Sequence, residues 1–202
     1  PAKADREAQH AHAAQAGNVL RVTPATFNQS GSAFSTTAIS LASNVSFSSA
    51  FSFRITNSGG SSDGDGLGAD GITFTVQTVS NTAGGGGGGI GYSGIANSVA
   101  IEYDTWDNGS FGNDPNGNHV GIDLGGNIQS VQTAVVGTRM NDGNVWYSWV
   151  DYDGSTHDLE VRLSQSSSRP ASAILTRTVN LATELGTTDA FVGFTAGTGA
   201  AY

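Results

Sequence analysis

The chain has 202 residues, 29 of them glycine, no cysteine, 12% charged side chains and a net charge of −9. That length suits one domain with a sizeable core. With Lys3 as its one lysine, it lacks the basic surface that gripping nucleic acid or anionic lipid requires. A disulfide scaffold, a thiolate metal site and a cysteine nucleophile are excluded as well. Hydrophobic content of 37% without an unbroken apolar run leaves no segment for membrane insertion.

Residues 1–17 are alanine-rich, lack the Ser/Thr alternation of the rest, and read as a tail outside the fold. From residue 18 onward, apolar residues recur at every second position, the period of a strand. Phe47, Phe51, Phe53 and Ile55 form one such series, followed by Ile72, Phe74 and Val76, then Val99, Ile101 and Tyr103. Val120, Ile122 and Leu124 come next, then Val145, Tyr147 and Trp149, then Leu159, Val161 and Leu163, and a short run from Phe191 to Phe194. Glycine and Asn/Asp clusters separate the runs, and the run Gly84–Gly89 reads as a loop tip. Only Leu181 to Leu185 suggests a helical turn. Many short strands without intervening helices predict an all-β antiparallel sandwich or barrel.

Chemistry concentrates between residues 99 and 123. Glu102 is one of four glutamates and sits in the most apolar strand. Glu102 and Asp104 share the face opposite Val99, Ile101 and Tyr103, and two such carboxylates repel unless a proton or cation separates them. Asn108 and Asp114 follow on a glycine-rich loop, and His119 heads the next strand on the same side as Asp123. Oxygen donors suit a hard cation such as Ca²⁺. Carboxylates with one imidazole suit a transition ion such as Mn²⁺. Both sets are available if Asp104 and Asp114 bridge two ions. An EF-hand beginning at Asp104 fails at Trp106 and Pro115, the glycine run lacks the Gly-Lys-Ser/Thr of a phosphate loop, and no Gly-x-Ser-x-Gly elbow occurs.

Val99-Ala-Ile-Glu-Tyr-Asp-Thr-Trp-Asp-Asn108, Asp114-Pro115 and His119-Val-Gly-Ile-Asp123 together resemble the metal-binding signature of legume-type (L-type) lectins. Ala69-Asp70-Gly71 upstream and Val192-Gly-Phe-Thr-Ala-Gly-Thr-Gly199 downstream resemble two further motifs, in family order. Asn18-Val-Leu-Arg-Val-Thr-Pro and Asn28-Gln-Ser-Gly-Ser-Ala are similar to early strands, especially of bacterial members. The resemblance covers residues 18–202 and implies a concanavalin-like jelly roll that binds carbohydrate without catalysis.

By the same resemblance, Glu102, Asp104, Asp114 and His119 would hold Mn²⁺ or another transition ion. Ca²⁺ would take Asp104, the carbonyl of Trp106, the Asn108 side chain and Asp114. Asp70, following a cis peptide after Ala69, would accept from sugar hydroxyls. Gly88 would add a backbone donor, Trp106 a stacking ring, Asn108 a side-chain donor, and Gly199, Ala200 and Ala201 the specificity loop. Extracellular glycans or glycoconjugates are the implied partners, and homodimers through sheet pairing the implied assembly. The family's strand before residue 18 and final strand beyond Tyr202 are not recognisable; the C-terminal strand is expected to be truncated, or residues 1–17 to replace one strand. Two other readings stand beside this one: a glycoside hydrolase using Glu102 and Asp107 on the same scaffold, and an adhesin module serving as a spacer.

Overall fold

The computed structural model describes residues 8–79 and 84–202. Its strands are β1 (Ala8–Ala11), β2 (Ala14–Ala16), β3 (Val19–Arg21), β4 (Ser30–Phe34), β5 (Ile39–Ser40), β6 (Phe47–Phe53), β7 (Ser62–Asp63) and β8 (Gly66–Leu67). They continue with β9 (Gly71–Gln77), β10 (Ser98–Asp104), β11 (His119–Leu124), β12 (Asn127–Val135), β13 (Trp146–Asp153), β14 (Asp158–Ser164), β15 (Leu175–Thr178) and β16 (Asp189–Gly197). The expected helical turn is α1 (Leu181–Leu185), capped by the Asn180 side chain at its start and ended by Gly186 in the left-handed region.

Two antiparallel sheets form the sandwich. The front sheet runs β1-β4-β16-β9-β10-β11-β12, with β5 also paired to β16, and the back sheet runs β15-β14-β13-β6. Between them lie Phe74, Val76, Val99, Ile101, Tyr103, Val120 and Ile122 from the front and Phe53, Trp146, Val150, Leu159 and Val161 from the back. Phe51 stacks on Phe74 with centroids 5.5 Å apart and meets Phe194 edge-on at 4.9 Å, geometries that add to the burial of the rings. The alternation read from the sequence thus marks the core face of most strands.

The other face of the front sheet is covered too. Tyr92 and Ile95, from the segment after the glycine run, pack with Ala100 and Ile128 as a second apolar cluster. Every residue of β10 is therefore buried. Glu102 and Asp104, which share the face of Ala100, are inside the protein.

Three expectations need revision. Residues 8–17 belong to the fold: β1 pairs with β4, Ala8 opposite Phe34 and Ala11 opposite Gly31, and β2 pairs with β3. An edge strand joined through its backbone needs no apolar alternation, which is why the composition hid it. Residues 1–7 lie outside the described residues. The alternating series Val145, Tyr147 and Trp149 marks β13, which begins at Trp146, but Tyr147 and Trp149 point away from the core; Trp146, Ser148, Val150 and Tyr152 are the buried set. The run Gly84–Gly89, expected as a loop tip, is a hydrogen-bonded turn, with Gly87 N–H donating to Thr198 O and Gly85 bridged to Ser93.

Candidate functional site

Strand register assembles the acidic site. In the β10–β11 ladder Asp104 is opposite His119 and Glu102 is opposite Gly121, while β9 places Gly71 beside Asp104. Gly121 lacks the side chain that would keep its neighbours apart: a Cβ there would overlap both Glu102 Oε1 and Ser130 Oγ. Across this gap Ser130 Oγ lies 2.6 Å from Glu102 Oε1 and 2.7 Å from Asp123 Oδ1. His119 Nε2 is 3.3 Å from Glu102 Oε1 and 3.6 Å from Asp114 Oδ1. One donor atom each from Asp104, Asp114 and His119 fits within 4.8 Å.

The electrostatics are those of a site short of positive charge. Burial, then the neighbouring carboxylates of Glu102 and Asp114, push Asp104 well above the usual range. Burial and Glu102 do the same to Asp123. Asp114 is raised to about 6, chiefly by burial, against the opposing pull of the Asn108 N–H and His119. For His119, burial favours the neutral ring, but Glu102 and Asp114 outweigh it and hold the imidazole above its ordinary value. His119 Nδ1 lies 2.9 Å from the Asn116 carbonyl. A carbonyl only accepts, so Nδ1 carries a proton, and Nε2 faces the carboxylates with no hydrogen-bond partner among the described residues. A buried ring nitrogen beside two carboxylates that favour positive charge on it, with Asp104 and Asp114 converging there, is a donor set that fits a cation in place of the Nε2 proton.

The connecting loop is folded by the same carboxylates. Asp104 Oδ1 accepts from Trp106 N at 2.6 Å, and Asp114 Oδ2 accepts from Asn108 N at 2.6 Å. Trp106 and Asn108 are half-buried there. Gly88 lies against Asn108 so closely that a Cβ would overlap its amide.

Asp70 follows a cis peptide after Ala69, as expected. Its N–H donates to Gly197 O, and its carbonyl accepts from Thr105 N at 2.9 Å, next to the acidic strand. Burial raises its carboxyl to about 7. Oδ2 has no partner among the described residues and lies 3.4 Å from where a Cβ on Gly199 would stand. Gly88 and Asn108 are therefore in contact, and Asp70 and Gly199 are brought close to each other. Ala200 is exposed, whereas Ala201 is buried in a bridge with Gly60 and presents no side chain to the rim.

Sequence reasoning left two members of the acidic cluster out of the ligand set. Asp123 shares the two-residue period of His119 and Gly121, a signal present in the sequence. Ser130 is delivered by the irregular β11–β12 pairing, which no local pattern marks. For the hydrolase reading, Glu102 is buried within this cluster, whereas Asp107 is exposed and accepts from Gly109 N.

Comparison with known proteins agrees with the fold and its motifs. The legume lectin domain model matches residues 4–202. L-type lectin-domain containing receptor kinase VIII.1 of Arabidopsis thaliana is 37% identical over 172 residues, 82% of this chain and 22% of that protein. Receptor kinase IV.2 of the same plant is 31% identical over 90% of this chain and 29% of its own length. The chain thus spans less than a third of these relatives. They are plant proteins and give the expected bacterial affiliation no support. Winged bean acidic lectin, solved with methyl-alpha-D-galactose, superposes with a TM-score of 0.79 at 28% identity, covering 97% of this chain and 85% of that one. Basic winged bean lectin, solved with Tn-antigen, gives 0.78 at 27% identity over 96% and 83%. A matched model over nearly the whole chain and a jelly-roll sandwich carrying the motifs in order lead to one conclusion: the chain belongs to the legume (L-type) lectin family.

Proposed function

We propose that the chain is a non-catalytic carbohydrate-binding domain whose sugar site is ordered by two cations. The observation that carries this reading is the buried set Glu102, Asp104, Asp114 and His119, in which His119 Nε2 has no partner among the described residues and the aspartates are held above their usual range. Glu102, Asp104, Asp114 and His119 would hold a transition ion such as Mn²⁺. Asp104, the Trp106 carbonyl, the Asn108 side chain and Asp114 would hold Ca²⁺. Bound there, the cations supply the positive charge these carboxylates require and keep the loop in one shape.

The chain's own groups then meet the sugar. Asp70 Oδ2 accepts from hydroxyls, the Asn108 amide donates, and the Gly88 N–H is a further donor. Trp106 offers its ring to the apolar face of the sugar, and Gly199 and Ala200 shape the rim. Winged bean lectins solved with a galactoside and with Tn-antigen support sugar as the ligand class. Relatives named as receptor kinases support a place of action outside the cell.

Titration calorimetry of the calcium- and manganese-loaded chain against methyl glycosides of galactose, N-acetylgalactosamine, mannose and glucose tests the reading. Saturable binding to at least one of them, lost in Asp70→Ala with metal uptake intact, is expected. Heat of binding from none of them, with metals bound, would contradict it.

A further inference from the structure

The hairpin β7–β8, between the back sheet and Asp70, carries two aspartates that the sugar site does not use. Asp63 has a side chain only 6% exposed. Its Oδ1 accepts from the N–H groups of Asp65 and Gly66 at 2.9 and 3.0 Å, and Arg139 Nη1 stands 3.7 Å away. Its Oδ2 reaches out of the hairpin and accepts from Asp107 N at 2.9 Å. Asp65 Oδ2 accepts from Gly117 N at 2.7 Å. Gly117 is required there, because a Cβ would overlap the Asp63 carboxylate.

Each of these N–H groups shares a planar peptide with a carbonyl that serves the site. The Asp107 N–H belongs to the peptide whose carbonyl is Trp106 O. The Gly117 N–H belongs to the peptide whose carbonyl is Asn116 O, the partner of His119 Nδ1 at 2.9 Å. A carboxylate bound to a peptide N–H fixes the plane of that peptide and pushes electron density toward its carbonyl oxygen. Arg139 and Asn141 anchor the hairpin from below: Arg139 Nη2 donates to Leu67 O and Thr105 O, and Asn141 Nδ2 donates to Leu67 O at 3.0 Å.

We infer that Asp63 and Asp65 are positioning residues, each acting through one peptide: Asp63 orients and strengthens the Trp106 carbonyl as a calcium donor, and Asp65 holds the Asn116 carbonyl that orients His119 toward the transition ion. This division of labour rests on the two-cation reading above. It makes the hairpin the link between the Asp70 segment and both ends of the loop from Asp104 to His119.

Asp63→Asn and Asp65→Ala test it. An asparagine at 63 turns an amide NH₂ toward either Asp107 N–H or the Asp65 and Gly66 N–H groups, whichever way it is placed. Calcium affinity is measured by calorimetry and Mn²⁺ affinity by the electron spin resonance of the free ion. Asp63→Asn is expected to weaken Ca²⁺ by about 10-fold or more, and Asp65→Ala to weaken Mn²⁺ by a similar factor, the other ion being less affected in each case. Asp65 is exposed, so its arm stands even if Asp63→Asn does not fold. Amide exchange at Asp107 and Gly117, and the ¹⁵N shifts of the His119 ring, are read in the metal-free chain. Faster exchange in the matching variant, with a changed His119 ring only in Asp65→Ala, supports the assignment. Unchanged ion affinities in both variants, or equal loss of both ions together with a lower metal-free melting temperature, overturn it. If the unsubstituted chain takes up neither ion, the two-cation reading has failed, and unchanged exchange and ring shifts in the variants overturn the hairpin's role separately.

Discussion

Asp104 and His119 are direct partners in the β10–β11 ladder. A long loop separates them in the chain, yet the pairing sets an imidazole and a carboxylate side by side on one face of a rigid sheet. A slip of one residue would turn each of them to the opposite face. The geometry of the acidic site is therefore a property of strand register, and the loop between supplies Trp106, Asn108 and Asp114.

The cluster opposes folding in the absence of cations. Asp104 shows the effect, since burial and the charges of Glu102 and Asp114 all disfavour its ionised form. Asp104→Asn keeps an acceptor for the Trp106 N–H and removes the charge. At pH 8 in EDTA this substitution is expected to stabilise the chain by about 1–2 kcal/mol, at roughly 2–4 °C of melting temperature per kcal/mol. Calcium and manganese should raise the melting temperature of the unsubstituted chain and leave the variant nearly unmoved. Thermal melts of both proteins with and without the ions check the reversal of sign.

The same charges set the pH dependence. Asp70, raised to about 7, and Asp114, raised to about 6, bind a proton more tightly folded than unfolded. A group raised in this way contributes stability that is fully present below its unfolded value near 4 and is lost as pH rises through its folded value. The raised His119 adds in the same direction. In EDTA the melting temperature should therefore fall between about pH 5 and pH 8. Stabilisation by calcium and manganese should grow over that interval, because the ions compete with protons for the same oxygens. Parallel melts across the range, metal-free and loaded, test both slopes.

Gly88→Ala tests the rim. The added methyl overlaps the Asn108 amide and displaces either that side chain or the turn from Gly87 to Gly89. Glycan affinity is expected to fall by about 10-fold, the equivalent of roughly 1.4 kcal/mol. Stability should change by less than about 1 kcal/mol, as for a surface loop. Titration calorimetry and a thermal melt separate the two effects.

Much of this was legible in the sequence. Alternation marked β6, β9, β10, β11, β13 and β14, because one face of each must be apolar to bury. It misled on β13, where Ser148 occupies a core position opposite the Tyr103 hydroxyl and the larger Tyr147 and Trp149 stack on the outer face. It was silent on β1, an edge strand paired through its backbone, and on β12, whose inward Ser130 serves the acidic cluster. The acidic pair at the centre of the cluster was legible because Glu-x-Asp in an apolar strand is costly unless a proton or cation offsets it. Ser130, Asp63 and Asp65 make contacts with Glu102, Asp107 and Gly117 that lie distant in sequence, and no local pattern could have shown them.

Whether metal ions order the sugar site is measured most directly by a glycan array probed with the metal-loaded chain, with the chain in EDTA, and with Asp104→Ala. Sugar binding by the loaded chain, abolished by EDTA and absent in Asp104→Ala, is the predicted result. Binding that survives both would contradict a sugar site ordered by metal ions.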